Sequence, residues 1–231
     1  RRARRPPKMR LLLSSLFLCL ALPAGAQEFT TYKGHGGPVM ALDVSPDGAL
    51  ASGSFDNSVG LWPGPEWLEG HDAAVTALDY STSSLVLSGG DDFRDLYWRS
   101  DLNAPIVATA MKGKISAIDS SRSLNMIAVG SWDGSIRLLK VQYNQFDPSH
   151  FPPSFWPLDL NGHRSNVTDV AFSMDGMLYS SSSDGTVRVW AGLNTQVSSR
   201  VIANQGFGIN RIIVTDTWLA YGALDGTMMR L

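Results

Sequence analysis

The segment Gly162–Gly176 reads Gly-His-Arg-Ser-Asn-Val-Thr-Asp-Val-Ala-Phe-Ser-Met-Asp-Gly, and it decides the fold because the chain repeats it. Gly34–Gly48 and the stretch that starts at Gly70 follow the same order: Gly-His, three variable residues, a valine, and an alternating apolar run that reaches a serine. Each copy continues through small residues and an acidic turn to a tryptophan, at Asp56–Trp62, Asp92–Trp98 and Asp184–Trp190. Self-similarity of this kind indicates a repeat architecture.

Two further units depart from this pattern. In chain order the third unit runs from Gly113 to Leu139, with Lys114 in place of the histidine and Leu139 in place of the tryptophan, and the fifth runs from Gly208 to Leu231. The turn aspartates of the five units stand at positions 56, 92, 133, 184 and 225, which gives spacings of 36, 41, 51 and 41 residues. These spacings are typical of propeller blades with one insertion.

The pattern within a unit predicts short antiparallel strands. Val39–Val44, Val75–Tyr80 and Val187–Trp190 alternate as half-buried strands do. Asp-Gly pairs at 47, 133, 175, 184 and 225 accept the positive φ that tight hairpins need. Three hairpin-linked strands and one more before each Gly-His make a four-stranded sheet. Because one such sheet cannot bury both of its faces, we expect the sheets to stack radially as blades.

These units resemble WD (WD40) repeats, and the resemblance covers nearly all of the chain from Glu28 to Leu231. It implies an all-β propeller of four-stranded antiparallel blades, about five of which are present. It also implies that each Gly-His histidine donates to the turn aspartate, while a hydroxyl on the second strand links the histidine to the tryptophan indole. The residues expected in this structural network are His35, Asp56 and Trp62; His71, Asp92 and Trp98; His163, Asp184 and Trp190; and, in the two divergent units, only Asp133 and Asp225.

The number of blades stays open at this point. The fifth unit lacks its last strand, and a strand at Glu28–Lys33 would complete a closed ring of five blades. The alternative, which we favour, is a chain truncated from a larger, seven-bladed propeller, since position 1 is not Met, the sequence stops within a hairpin, and seven units are common in the resembled family.

The N-terminal residues predict export. Met9-Arg10 precedes an uncharged apolar stretch from Leu11 to Leu22, and small residues follow up to Ala26. A basic start, a short apolar stretch and a small-x-small cleavage site are the three parts of a secretory signal. The apolar stretch is shorter than the ~20 residues that span a bilayer, so we expect no stable membrane anchor. We therefore divide the chain into residues 1–26, with Met9 as the start of a cleavable signal, and a propeller at 27–231, located in the periplasm.

Charge and cysteine content exclude several classes of function. Six of the 19 basic residues precede Gln27, which leaves 13 basic against 21 acidic residues in the rest of the chain. This balance disfavours a nucleic-acid-binding domain, which needs clustered Lys and Arg. With one cysteine in the sequence, no disulfide framework or Cys-x-x-Cys-His haem motif is present in these residues. We expect no cofactor in this chain.

The residue types argue against catalysis and for a partner-binding rim. Three of the four histidines belong to Gly-His units, and His150 has no second His or Cys nearby, so neither a catalytic centre nor a metal site is expected. The residue before each turn aspartate should face the central opening, where differences between units would serve binding of a protein or peptide. These residues are Phe55, Asp91, Trp132, Ser183 and Leu224. The alternative is that Phe55 and Trp132 only cover the blade ends. The insertion at 141–157, rich in Pro and aromatics, is expected between strand c of the third blade and strand d of the next, on the opposite face.

A second resemblance concerns the whole parent protein. The exported N-terminus, Gln27–Met40 and Gly206–Asn210 resemble Gram-negative bacterial WD-repeat proteins of the cell envelope. Some of these carry a C-terminal c-type cytochrome module. The resemblance implies, as an alternative to a non-catalytic interaction scaffold, an electron-transfer protein whose haem c domain lies outside this sequence. The oligomeric state stays undetermined at this point.

Overall fold

The computed structural model describes residues 29–64, 66–82, 84–99, 104–142 and 154–231. The chain divides into two compact units, residues 1–31 and 32–231. Of the first unit, only residues 29–31 are described, and they form no strand. No helix of the length and apolarity that crossing a bilayer requires occurs in the described ranges. The predicted signal at 1–26 and most of the predicted insertion, 143–153, lie outside the described residues.

The second unit contains five antiparallel sheets in chain order, which we call blades 1 to 5. Blade 1 consists of β1 (Val39–Val44), β2 (Leu50–Ser54), β3 (Ser58–Trp62) and β4 (Glu66–Glu69). Blade 2 consists of β5 (Val75–Thr82), β6 (Leu85–Gly90), β7 (Arg94–Arg99) and β8 (Ile106–Ala110). Blade 3 consists of β9 (Ile115–Ser121), β10 (Met126–Ser131), β11 (Ile136–Gln142) and β12 (Ser154–Leu160).

The last two blades follow the same plan. Blade 4 consists of β13 (Val167–Phe172), β14 (Leu178–Ser182), β15 (Thr186–Ala191) and β16 (Ser198–Asn204). Blade 5 has three described strands, β17 (Ile209–Val214), β18 (Leu219–Ala223) and β19 (Met228–Arg230). In each Asp-Gly hairpin the glycine has a φ between 84° and 90°, at Gly48, Gly134, Gly176, Gly185 and Gly226. The predicted all-β propeller of four-stranded antiparallel blades is therefore confirmed.

The prediction was wrong about where the insertion lies. The outermost strand, β12, pairs antiparallel with β11 of the same sheet, with Val141 opposite Phe155. The insertion therefore connects two strands of blade 3, because a strand that precedes a Gly-His completes the sheet of the unit before it. The same holds for β4, which precedes Gly70 and pairs with β3 of blade 1.

Close packing of neighbouring blades fills the core. At each of the first three seams a glycine of the second strand faces a branched residue of the next blade: Gly53 faces Val75, Gly89 faces Ile115, and Gly130 faces Val167. A Cβ added to these glycines would lie 2.3–2.7 Å from a side-chain carbon of the branched residue. These positions therefore require glycine if the blades are to pack this closely.

Polar contacts between inner strands join successive blades. A carboxylate on the inner strand accepts a backbone N–H of the next blade, from Tyr80 to Asp43 at 2.5 Å, from Phe172 to Asp119 at 2.5 Å and from Ile212 to Asp169 at 2.9 Å. Hydroxyls also donate across the seams to backbone carbonyls, from Thr76 to Ile115 at 2.6 Å and from Thr168 to Ile209 at 2.6 Å. These bonds fix the register of one blade against the next.

The inner strands contact one another in the order β1, β5, β9, β13 and β17. The faces at the two ends of this row are exposed, as Leu42 of β1 and Ile213 of β17 show. Residues 29–38 form no strand, so the strand expected at Glu28–Lys33 is not present in its described part.

Candidate functional site

One edge of the blade row carries the Gly-His loops and the acidic turns side by side. The residue before each turn aspartate donates its backbone N–H to the loop that precedes the inner strand of its own blade. These bonds run from Phe55 to Pro38 (3.0 Å), Asp91 to Ala74 (2.9 Å), Trp132 to Lys114 (2.9 Å), Ser183 to Asn166 (2.9 Å) and Leu224 to Gly208 (2.8 Å). The five residues therefore occupy equivalent positions, and we call them the rim.

In blade 1 a chain of four side chains links the loop to the turn. The Trp62 Nε1–H donates to Ser52 Oγ at 2.8 Å, and Ser52 Oγ lies 2.7 Å from His35 Nε2. His35 Nδ1 lies 2.9 Å from Asp56 Oδ2. With the proton on Nδ1, the imidazole donates to the carboxylate and accepts from the serine, so all four groups are satisfied.

Blades 2 and 4 repeat this arrangement with other residues. In blade 2, His71 Nδ1 lies 2.9 Å from Asp92 Oδ2 and its Nε2 lies 2.7 Å from Ser88 Oγ, to which Trp98 donates at 2.6 Å. In blade 4 the corresponding distances are 3.2 Å from His163 to Asp184, 2.8 Å from His163 to Ser180, and 2.9 Å from Trp190 to Ser180. The serines that complete the chains are Ser52, Ser88 and Ser180.

The pKa is lowered in both kinds of group, by burial for the histidines and by hydrogen bonding for the aspartate. Burial lowers the pKa of His71 and His163, although the facing carboxylates oppose the shift, so both imidazoles are kept neutral. Burial acts to raise the pKa of Asp184, but hydrogen bonds from Thr186 and the Arg164 N–H outweigh it and hold the value at about 2. Stability from both kinds of group is present at neutral pH and is lost as pH falls, from about 6.5 downward for the histidines.

Blade 3 fills the same space with apolar side chains. The prediction that Lys114 occupies the histidine position was wrong. Met111, not Lys114, stands at the histidine position, because Met111 precedes Ile115 by four residues, as His71 precedes Val75, and Lys114 takes the place of Pro38 in the rim hydrogen bond. Met111 is buried together with Val129 and Leu139, which occupy the serine and tryptophan positions. Asp133 is exposed and caps its own turn by accepting from the Ser135 N–H at 2.8 Å and the Ser135 hydroxyl at 2.6 Å.

Blade 5 uses a shorter polar link. Gln205 stands at the histidine position and donates through Nε2 to the hydroxyl of Tyr221, which occupies the serine position. Asp225 accepts from the Thr227 N–H at 2.9 Å and the Thr227 hydroxyl at 2.7 Å, and these bonds lower its pKa. The aspartates of blades 3 and 5 thus hold only their own turns.

The rim side chains differ in chemistry from blade to blade. Phe55 and Trp132 are 52% and 50% exposed, and Leu224 is 70% exposed. Lys114 forms an ion pair with Asp91 of the preceding blade, and its Nζ lies 5.2 Å from the ring centroid of Trp132. This cation–π contact and ion pair hold the Trp132 ring beside the junction of blades 2 and 3. Ser183 is exposed and presents a small polar side chain.

Comparison with known proteins identifies the family. The family described as "WD domain, G-beta repeat" (WD40) matches residues 26–63, 66–98, 106–139 and 157–191, more than half of the chain. The chain belongs to the WD40 family. The fifth unit lies beyond the matched residues, yet it forms a sheet of the same topology from Ile209 onward.

The curated WD40 relatives are longer proteins. "Cell division cycle 20.5, cofactor of APC complex" from Arabidopsis thaliana is 31% identical over 182 residues, which are 69% of this chain and 38% of that protein. "E3 ubiquitin-protein ligase COP1" from the same organism is 28% identical over 61% of this chain and 21% of its own length. "Apoptotic protease-activating factor 1" from Danio rerio is 29% identical over 68% of this chain and 12% of its own length.

Solved structures share the fold. The computationally designed Ika8 protein superposes with a TM-score of 0.68 and 26% identity, over 85% of this chain and 59% of that chain. The WD40 β-propeller domain of Doa1 superposes with a TM-score of 0.68 and 22% identity, over 85% of this chain and 64% of that chain. These similarities confirm the WD40 resemblance predicted from the repeated units.

The serine, histidine and aspartate of each WD40 network lie in the same order as in a hydrolase triad, but their surroundings differ. Ser52 is 3% exposed, and Ser88 and Ser180 are fully buried. Each hydroxyl also accepts a hydrogen bond from a buried tryptophan indole. A nucleophilic serine must reach a substrate carbonyl beside oxyanion donors, which this burial prevents.

Blade 2 departs from the WD40 pattern at three consecutive positions. Phe93 has a φ of 69° where other turns have asparagine or glycine, a conformation that is strained for a bulky residue. Arg94 replaces the turn hydroxyl and donates to Asp92 at 2.8 Å and to Asp72 at 2.7 Å. Asp95 then occupies a fully buried position that is aliphatic in blades 1, 3 and 4. Aligning the third strands of the units would have revealed these departures in the sequence.

His150, for which no metal role was expected, lies outside the described residues.

Proposed function

We propose that this chain is a non-catalytic protein-interaction scaffold that acts in the periplasm and binds its partner through the rim residues Phe55, Asp91, Trp132, Ser183 and Leu224. The observation that carries the proposal is the equivalence of these five positions, with exposed aromatic rings at two of them and an exposed leucine at a third. Aromatic side chains held at a fixed position are the commonest anchors of protein interfaces.

The chemistry of the rim indicates the kind of partner. Phe55, Trp132 and Leu224 offer apolar surface, while Asp91 and Lys114 neutralise each other. A protein or peptide segment that presents apolar side chains fits such a surface better than a nucleic acid does. One relative is by name a cofactor of the APC complex, which supports a role in assembling proteins.

The buried serines support the non-catalytic part of the proposal. The three Ser-His-Asp sets of blades 1, 2 and 4 stabilise turns, and their hydroxyls are closed off by indole donors. We therefore expect purified protein to lack esterase activity on small acyl esters.

Binding is tested by differential capture from a periplasmic extract. Immobilised wild-type protein is compared with Phe55→Ala/Trp132→Ala and with a control, Trp156→Ala/Leu158→Ala, which removes exposed apolar side chains from the outer strand β12. We expect a partner that wild type and control retain, and that the rim variant binds at least about tenfold more weakly. Equal retention by all three proteins would remove the rim proposal.

The periplasmic location rests on the sequence from Met9 to Gln27 and is tested separately. Expression of the gene in a Gram-negative host should give a periplasmic protein that starts at Gln27 when its N-terminus is sequenced. Uncleaved protein in the cytoplasm would contradict export and leave the rim proposal standing. The alternative of a parent c-type cytochrome stays a prediction, which reading the gene beyond Leu231 for Cys-x-x-Cys-His would decide.

A further inference from the structure

Asp95 stands where blades 1, 3 and 4 place a buried aliphatic residue at a seam. The equivalent residues are Val59, Ile136 and Val187. Val59 packs in one cluster with Val75 of the following blade, and Val187 packs with Ile209 of the following blade. The equivalent side chain of blade 2 therefore faces blade 3.

Asp95 lies in a closed site in which no protein group donates a hydrogen bond to its carboxyl. The residue is 0% exposed, and neither carboxyl oxygen has a hydrogen-bond partner. Its cross-strand neighbours are Gly89 on β6 and Thr109 on β8, and Gly89 lies against Ile115 and Ile118 of blade 3. A carboxylate in such a place has neither water nor a donor to stabilise its charge, so the neutral acid is strongly favoured.

The ionisable groups around Asp95 add to this effect. Asp79 on β5 faces the same seam and accepts a hydrogen bond from the Ser120 hydroxyl at 2.5 Å. Burial raises the pKa of Asp95 well above its usual range, and the charge of Asp79 raises it further. Burial, together with Asp119 and Asp43, raises the pKa of Asp79 to about 8.

Among the described residues, no cation forms an ion pair with Asp95. Strands β6, β8 and β10 contain no ionisable side chain, and Arg94 on the strand of Asp95 is bound to Asp92 and Asp72. Arg137 on β11 reaches Thr109 at 3.1 Å, but Asp159 binds its guanidinium at 2.6 and 2.9 Å. Lys114, in the loop before β9, is paired with Asp91.

We propose that the seam between blades 2 and 3 is a proton-dependent contact, which is closed while Asp95 carries its proton and loosens when that proton passes to solvent. In the unfolded chain this carboxyl has its usual pKa of 3.8. The stability of the seam is therefore fully present below that value and is lost as pH rises through the raised pKa of the folded state. The Asp91–Lys114–Trp132 contact spans the same seam at the rim.

Hydrogen exchange of the full chain tests the proposal. Exchange is measured by mass spectrometry at pH 6 and pH 9, with rates corrected for the intrinsic pH dependence of amide exchange. In wild type we expect peptides from β6, β7 and β9 to lose protection by about tenfold or more at the higher pH, since one pKa unit corresponds to tenfold in population. The equivalent strands β14, β15 and β17 serve as an internal control, because Val187 occupies the position there.

Two variants separate Asp95 from its neighbour. Asp95→Val introduces the residue of blades 1 and 4, and Asp95→Asn keeps the size while removing the ionisation. Both should abolish the additional loss of protection at pH 9, and Asp95→Val should also raise the melting temperature at that pH. Asp79→Asn keeps an acceptor for Ser120. In this variant the strands β6, β7 and β9 should still lose more protection at pH 9 than the control strands do.

Three results would overturn the proposal. The first is equal protection of the wild-type seam at both pH values. The second is the same pH-dependent loss in Asp95→Val and Asp95→Asn as in wild type. The third is a loss that disappears only in Asp79→Asn, which would assign the proton to the inner strand instead. Each result is independent of partner binding at the rim.

Discussion

Blades 3 and 4 have the same backbone plan but fill its centre with opposite chemistry. In both, the rim residue donates its N–H to the preceding loop at 2.9 Å, from Trp132 to Lys114 and from Ser183 to Asn166. Blade 4 then joins loop and turn through buried polar side chains, whereas blade 3 places Met111, Val129 and Leu139 there. The rim geometry therefore does not depend on the polar network. The side chains that meet behind the rim must match one another. They are either all polar and hydrogen-bonded to each other, or all apolar.

The largest loss of stability is expected when a polar and an apolar set of side chains are mixed within one blade. Ser180→Val removes the acceptor of the Trp190 indole and the donor to His163 Nε2, and both groups are buried. Each unsatisfied buried group costs about 1–3 kcal/mol, so we expect the free energy of unfolding to fall by about 3 kcal/mol or more. Urea denaturation followed by tryptophan fluorescence measures this loss.

The reciprocal change in blade 3 is the matched control. Val129→Ser places a hydroxyl beside Met111 and Leu139, which offer it no hydrogen-bond partner, and should cost about 2 kcal/mol. If Ser180→Val were as stable as wild type, or if Val129→Ser were more stable, compatibility of the four positions would not be the rule that governs these blades.

Much of the fold could be predicted because each unit contains the residues that define its own strands and turns. Gly-His, Asp-Gly and the terminal tryptophan recur at similar spacing, and hairpins between short alternating strands follow from them. The strand that precedes a Gly-His was assigned to the wrong sheet, because periodicity locates a strand without saying which neighbour it pairs with. Pairing of β12 with β11 follows from their direct connection in blade 3.

Less of the candidate site could be predicted from the sequence. The family pattern predicted which histidine, aspartate and tryptophan would be linked. In blades 1, 2 and 4 the histidine lies within hydrogen-bond distance of the aspartate, and the tryptophan donates to the serine that contacts the histidine. Lys114 was misassigned because Gly113-Lys114 resembles Gly-His in sequence, although Lys114 directly precedes its inner strand whereas each histidine precedes its strand by four residues. The Lys114–Trp132 contact depends on how two blades pack, and no spacing within a unit encodes it.

A smaller loss of stability is expected when the turn aspartates of blades 3 and 4 are replaced. Asp184 accepts hydrogen bonds from the Thr186 hydroxyl at 2.6 Å, the Arg164 N–H at 2.8 Å and His163 Nδ1 at 3.2 Å. Asp184→Ala leaves the buried imidazole without its acceptor, so we expect a loss of about 2 kcal/mol, with Asp56→Ala behaving similarly. Asp133 holds only Ser135 at an exposed turn, and Asp133→Ala should cost less than about 1 kcal/mol.

Thermal unfolding of the three variants under one set of conditions checks this order. For a chain of this size the larger loss corresponds to a melting temperature lowered by about 4–8 °C, and the smaller one to less than about 4 °C. Asp184→Asn keeps an acceptor for His163 while removing the charge, so it should fall between Asp184→Ala and wild type. Equal shifts for Asp184→Ala and Asp133→Ala would mean that the aspartates stabilise only their own turns. The histidine, serine and tryptophan of blade 4 would then hold that blade together without help from the carboxylate.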